Sequence, residues 1–415
     1  METLFPGVAT SDLAGRAAKV LTPNYRPAPI VLVRGEGCRV EDRDGRVYLD
    51  MVGGIAVNAL GHAHPRLVSA IAQQAAALLH VSNLYLNEPQ VALAELLVAR
   101  SFADRVFFAN SGAEANEAAL KLARRWQAEI AKAPDKVGVL AFHESFHGRT
   151  YGALSATGQP KYHHGFEPLV PGVRFAAYGD LEAVERALAT PHGGLSIGVI
   201  MLEPIQCEGG IHVPPASFLT GVRELADRHG ALVIYDEVQT GVGRTGRWWC
   251  YEHGGGAPDI MTTAKGIAGG VPLGVMFASE KAAAGFTAGS HASTFGGNAL
   301  ATRAGLEVMR VIQDEGLIAN AAERGAELAA GLAALVDRFP GLCVQARGRG
   351  LIQGLELVDA TAATRVVEAC KARGLLLNAV QGKTLRFVPP LVVDATEIAQ
   401  ALTDVGAVMA SLAEA

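Results

Sequence analysis

The sequence predicts an α/β fold: a large domain with a mostly parallel sheet, joined to a smaller α+β domain. Three observations predict it. From about residue 65, short apolar runs alternate with helical stretches, which is the β-α-β rhythm of a parallel sheet with helices on both faces. Several of the apolar runs close on polar residues, at Asn110-Ser111, at the loop after Phe142, at Glu203 and at Asp236. The length, 415 residues with 50% hydrophobic, suffices for two or three domains.

The elements follow in order. Residues 1–60 read as irregular and strand-like, with turn signals at Gly35-Glu-Gly37 and Asp42-Arg-Asp-Gly45. Stretches 65–80 and 90–99 are helical in composition, and 105–108 is a short buried strand. Helix 111–127 opens on Ser111 with Glu114 three residues on, a capping-box pattern that makes Ser111 the N-cap. Strands are expected at 136–142, 197–202 and 231–235, with a helix at 218–229. After about Gly297 a long alanine-rich helix leads to strands at 351–357 and 385–388. The expected division is a large domain over 61–299 and a small one made of 1–60 and 300–415.

Composition excludes several classes. No apolar run reaches the roughly 18 residues of a membrane helix. The chain's start has neither a basic region nor an apolar core, so no secretory leader is expected. Five widely spaced cysteines without a C-x-x-C fit a reduced, cytoplasmic protein. The net charge of −5, with no basic run, argues against nucleic acid as a partner.

The chemistry sits at two strand ends. Ala231-Leu-Val-Ile-Tyr-Asp236 ends on a carboxylate, and Lys265 follows a second short apolar run beside small residues. A free lysine amine, with a pKa of about 10.4, is a poor nucleophile at neutral pH. It becomes useful by condensing with an aldehyde, as pyridoxal 5'-phosphate provides, and that cofactor needs an anion beside its ring nitrogen. Asp236 and Lys265 meet both needs, although the pair alone also fits a surface acid and a surface lysine. Gly112-Ala113, after Ser111, leaves the first-turn amides of the helix open to an anion such as a phosphate.

Two motifs point elsewhere and lack their context. His143-Glu144-Ser145-Phe146-His147 matches the zinc pattern H-E-x-x-H, but it follows a strand directly and stops at Gly148, so no metal is expected. Gly241-Val-Gly-Arg-Thr-Gly246 matches G-x-G-x-x-G, but no long helix follows it.

Seven segments occur in order: Gly53-Gly-Ile-Ala-Val-Asn-Ala-Leu-Gly-His-Ala-His-Pro65, Phe107-Phe-Ala-Asn-Ser-Gly-Ala-Glu-Ala-Asn-Glu117, Phe146-His-Gly-Arg-Thr150, Glu203-Pro-Ile-Gln206, Asp236-Glu-Val-Gln-Thr-Gly-Val-Gly-Arg-Thr-Gly246, Thr263-Ala-Lys265 and Thr294-Phe-Gly-Gly-Asn298. Through them the chain resembles the class III aminotransferases, fold type I pyridoxal-phosphate enzymes, from about Pro23 to Pro390. The resemblance is strongest to the branch that moves the terminal amino group of N-acetylornithine to 2-oxoglutarate, giving an acylglutamate semialdehyde and glutamate. Ornithine, succinylornithine, succinyl-diaminopimelate, 4-aminobutyrate or a diamine are alternative donors, and a non-catalytic cofactor-binding regulator is the alternative of another class.

The resemblance implies roles. Lys265 would carry the cofactor and move the proton, Asp236 would pair with the ring nitrogen, and Gln239 would approach the ring hydroxyl. Phe146 would stack on the ring. Ser111, Gly112 and Ala113 would hold the phosphate, helped by Thr294 from a partner subunit in a homodimer with shared sites. Arg149 and Arg386 would bind substrate carboxylates, with Glu208 pairing with the second, and Ser293 and Tyr25 would reach substrate. One departure stands out: the family usually has glycine at Cys207, where a cysteine is expected to strain any left-handed backbone.

Overall fold

A computed structural model describes residues 4–5, 7–191 and 193–414. Met1 to Thr3 and Pro6, part of the start on which the leader was judged, lie outside the described residues. A helix over Thr10–Val20, not expected from the sequence, comes first; none of its residues is buried. Then β1 (Leu32–Glu36), β2 (Arg39–Asp42) and β3 (Val47–Asp50) form an antiparallel meander. The turn expected at 42–45 joins β2 to β3, with Asp42 Oδ1 accepting from the N–H groups of Asp44 and Arg46 at 3.0 and 2.9 Å.

The large sheet contains β4 (Arg105–Ala109), β5 (Gly138–Phe142), β6 (Val173–Ala176), β7 (Ile197–Leu202), β8 (Leu232–Asp236), β9 (Ile260–Thr263) and β10 (Gly274–Ala278). Their order is β4-β10-β9-β8-β7-β5-β6. All neighbours from β9 to β6 pair parallel, and β10 alone runs antiparallel to both of its neighbours. Every residue of β5, β7 and β8 is buried, as a sheet covered on both faces requires.

Alternate residues of these strands feed opposite layers. Val199 and Ile234 pack with Ala118 and Leu122 of the helix Gly112–Arg125, while Ile200 and Tyr235 pack with Phe218 and Val222 of the helix Phe218–His229. Each such buried side chain contributes about 1.5–3 kcal/mol of transfer free energy. The sequence reading missed β6, only four residues long, and β10, which runs against its neighbours.

The remaining strands are β11 (Cys343–Arg349), β12 (Ile352–Leu357), β13 (Leu375–Leu376), β14 (Asn378–Val380) and β15 (Thr384–Phe387). Four of them make an antiparallel sheet in the order β11-β12-β15-β14, and β13 instead pairs parallel with β3. The single alanine-rich helix expected after 297 is two, Ala299–Asp314 and Leu317–Arg338, broken at Gly316 with φ 65°. The first packs against the helices Pro65–Ala77 and Glu88–Ala99 and the turn Lys265–Ala268. Among the described residues no helix is long and apolar enough to cross a membrane.

Candidate active site

The carboxyl ends of β8 and β9, the loop after β5 and the start of the helix Gly112–Arg125 enclose a cavity of about 410 Å³. A parallel sheet gathers strand ends of one polarity, so the polar residues that close its strands converge there. Asp236, the last residue of β8, is buried at 4% exposure. Its Oδ2 accepts from Asn116 Nδ2 and pairs with His147 Nδ1, each at 2.8 Å, and its Oδ1 accepts from the Val238 N–H at 3.0 Å. Asn116 also donates to the His147 carbonyl at 2.7 Å and accepts from the Thr262 hydroxyl at 2.6 Å.

Lys265 stands two residues past β9 with φ 44°, in the left-handed region. A non-glycine residue there costs of order 1–3 kcal/mol and is held by its surroundings. Burial pushes its amine below the usual value, against the upward pull of Glu208. Among the described residues its Nζ makes no hydrogen bond or ion pair.

Ser111 caps the helix as expected, its Oγ accepting from Glu114 N–H at 3.2 Å. The reciprocal half differs from the expected box: Glu114 Oε2 accepts from the Asn110 N–H at 2.7 Å. The first-turn amides of Gly112 and Ala113 have no intrahelical acceptor, and both residues line the cavity. A Cβ on Gly112 would meet the Val238 methyls at 2.8 Å, so the close approach of helix and loop requires glycine.

Phe146 and Arg149 line the cavity on the side of the loop after β5. That loop is irregular through residue 150, so His143 and His147 do not share a helix face. Glu203, past the end of β7, accepts from the Phe146 and Cys207 N–H groups at 2.9 and 3.2 Å. Burial, reinforced by Asp236, raises its carboxyl well above the usual range. Arg386, on β15, is 1% exposed. It donates to Gln239 Oε1 at 3.0 Å and forms an ion pair with Glu208. Burial opposes ionisation of Glu208, but Arg386 and Lys265 outweigh it and hold the carboxyl below the usual range.

Cys207 corrects one expectation. Its backbone is not left-handed; the positive φ angles of this loop fall at Gly210 and Ile211. The thiol is fully buried in a small apolar cluster with Ile205, Ile211 and Ile352, so it packs without backbone strain.

The cavity thus brings together Ser111, Gly112, Ala113, Phe146, Arg149, Glu208, Asp236, Gln239 and Lys265, with Arg386 bonded to two of them. It does not bring in Tyr25, which is 80% exposed, or Ser293 and Thr294, which lie outside its lining. Asn116 and His147 escaped sequence reading, because their partner Asp236 lies about ninety residues or more away. An asparagine inside a helix, where its propensity is poor, was the available signal.

Glu237 follows Asp236 and is fully buried, its carboxyl accepting from the Cys250 and Tyr251 N–H groups at 2.6 and 2.9 Å. Burial raises its pKa to about 7. The folded state therefore favours the neutral acid. Glu237's contribution to stability is most favourable below its unfolded value near 4.5 and falls by about 3 kcal/mol as pH rises to about 7. Urea midpoints between pH 5 and 8 should show this decline, and Glu237→Gln should flatten it. An equal slope in the variant would exclude Glu237 as its source.

The residue set fits pyridoxal phosphate: helix amides for a phosphate, a buried carboxylate for a ring nitrogen, and an unbonded amine for an aldehyde. Residues 20–409 match the family model described as Aminotransferase class-III. The chain is 50% identical over 398 residues to an acetylornithine aminotransferase of Thermosynechococcus vestitus, covering 95% of this chain and 96% of the relative. It superposes with TM-score 0.92 and 32% identity on an ornithine aminotransferase of Toxoplasma gondii described with partial occupancy of PLP at its active site, over 97% and 95% of the two chains. With TM-score 0.82 and 35% identity it matches an N-acetylornithine aminotransferase of Stenotrophomonas maltophilia, over 96% and 99%.

Proposed function

The chain belongs to the class-III aminotransferases, and on that premise we propose that it moves the terminal amino group of N-acetylornithine to 2-oxoglutarate, yielding N-acetylglutamate semialdehyde and glutamate in arginine biosynthesis. The observation that carries this reading is the convergence of Lys265, Asp236 and the Gly112-Ala113 amides on one cavity. The relatives' specificity supports the donor.

Bound pyridoxal phosphate supplies the aldehyde that takes up an amine and the electron sink of its protonated ring. The protein supplies the rest. Ser111, Gly112 and Ala113 would hold the phosphate, Phe146 would lie against the ring, Gln239 would serve its hydroxyl, and Asp236 would hold a proton on the ring nitrogen. Lys265, its pKa lowered by burial, would serve as the acid and base that moves the proton. Arg149 and Arg386 take the two carboxylates of 2-oxoglutarate, since a guanidinium binds carboxylate through two parallel bonds. Glu208 covers Arg386 while a donor side chain without a carboxylate is bound.

A donor screen with 2-oxoglutarate tests the reading. Acetylornithine should give the highest kcat/KM; preference for ornithine, succinylornithine, succinyl-diaminopimelate or 4-aminobutyrate reassigns the donor. No turnover with any amine makes the protein a non-catalytic cofactor binder.

The domain division at 61–299 against 1–60 and 300–415 belongs to this reading, as do a cytoplasmic location, supported by five free, buried cysteines, and a homodimer. Leu84, Tyr85, Leu86 and Phe295 are 84%, 70%, 88% and 60% exposed, an apolar surface around the segment that carries Thr294. Tyr25 and Ser293 reach substrate from that assembly. Mixing Lys265→Ala with Thr294→Trp after subunit exchange should restore activity, because half of the hybrid's sites carry neither defect. Hybrids that form without activity exclude sharing.

A further inference from the structure

The loop after β5 carries Arg149 with a notable lack of polar restraint. Among the described residues its guanidinium makes no hydrogen bond and no ion pair. Its carbon instead lies 3.9 Å from the ring centroid of Tyr162 and 5.7 Å from that of Phe146. The Tyr162 ring in turn stands edge-on to Phe146, with centroids 5.9 Å apart and planes at 82°. One tyrosine therefore touches both the residue proposed to face the cofactor ring and the arginine proposed to receive a substrate carboxylate.

Tyr162 is itself well fixed. It ends a single helical turn over Pro160–Tyr162. The buried Gln159 before it donates to the Glu144 and Ser145 carbonyls at 3.2 and 3.1 Å. The His163 ring after it bonds the Thr157 carbonyl at 2.7 Å. The second cation on the ring, Lys161 at 5.0 Å, is engaged elsewhere, donating to Gln381 Oε1 at 2.9 Å. A guanidinium stacked on an aromatic face keeps its N–H edge free for a bidentate anion, whereas one paired with a carboxylate has that edge occupied.

We infer that Tyr162 is a positioning residue that holds Arg149 against the face of its ring, with the guanidinium N–H groups open to the carboxylate of the substrate. The inference rests on the reading of Arg149 as a carboxylate receptor. Tyr162 acts on the arginine and not on the reacting atoms, so its loss should fall on binding.

The test uses the cofactor-loaded enzyme and glutarate, a dicarboxylate without a reactive carbonyl, with Kd measured by calorimetry. Tyr162→Leu should weaken glutarate roughly 3- to 30-fold, the range of a cation–π contact. Tyr162→Phe, which keeps the ring and loses only the hydroxyl, should stay within about twofold of the parent. KM for 2-oxoglutarate should follow Kd while kcat holds. If the leucine variant does not fold, Tyr162→Gln removes the ring in its place. Arg149→Ala separates the two layers of the argument. If it leaves glutarate binding unchanged, Arg149 is not a receptor and both readings fall. If it weakens binding and the ringless variants do not, or if the phenylalanine variant is as weak as they are, the positioning role of the ring is excluded.

Discussion

Replacing Lys265 with alanine should abolish transamination while leaving the protein folded. Lys265 is the amine at the cavity wall, and its left-handed φ of 44° is imposed by the surrounding structure. Alanine meets the same backbone cost, about 1–3 kcal/mol, so the variant gains no backbone relief. The Gly112 and Ala113 amides proposed to hold phosphate are untouched, so the variant should still bind pyridoxal phosphate without a covalent link. Borohydride reduction followed by peptide mass analysis should label residue 265 in the parent and nothing at that position in the variant. Near-normal turnover in Lys265→Ala without added amine would sink the assignment.

Asp236→Asn should have the second largest effect. The carboxylate receives the side chains of Asn116 and His147 at one oxygen and the Val238 amide at the other. An amide in its place presents an NH₂ to one of those donors, whichever way it turns. On the proposed reading it also removes the charge that would keep a proton on the ring nitrogen. Loss of one charge-assisted bond is worth about 1.5–3 kcal/mol, or one to two orders of magnitude in rate. The fold should suffer less, since asparagine keeps the volume. The half-reaction with the amino donor, followed by stopped-flow absorbance, isolates this step; an unchanged rate would show that Asp236 is not the ring partner.

What could be read from the sequence followed from locality. The buried runs of β5, β7 and β8 announce themselves as continuous apolar stretches, and a parallel sheet then forces their carboxyl ends to one edge. That geometry brings Asp236, Glu203 and Ser111 together without any knowledge of loops. The cap at Ser111 was legible because its partner Glu114 lies within the same turn.

What could not be read was set by distant partners. His147 sat in an apparent zinc motif, yet its ring is committed to Asp236. The helix Thr10–Val20 buries nothing within its own chain, so no packed face ties it to the core. Strand β10 runs against its neighbours, and alternating β-α reasoning has no place for such a strand. At Cys207 the expected strain did not arise because the loop turns at Gly210 and Ile211 instead.

The pairing of β13 with β3 has a consequence for the order in which the molecule can be made. Leu49 and Asp50 wait for Leu375 and Leu376 to complete their sheet. At ribosomal speeds of roughly 5–20 residues per second, the amino-terminal meander emerges tens of seconds before its last strand exists. Throughout that interval β3 presents a bare edge, the kind of surface that recruits other chains. The large sheet, whose strands all lie between Arg105 and Ala278, can close while the ribosome is still adding residues. Synthesis therefore favours a nascent chain with a folded centre and an unfinished beginning, sealed only when the last quarter arrives.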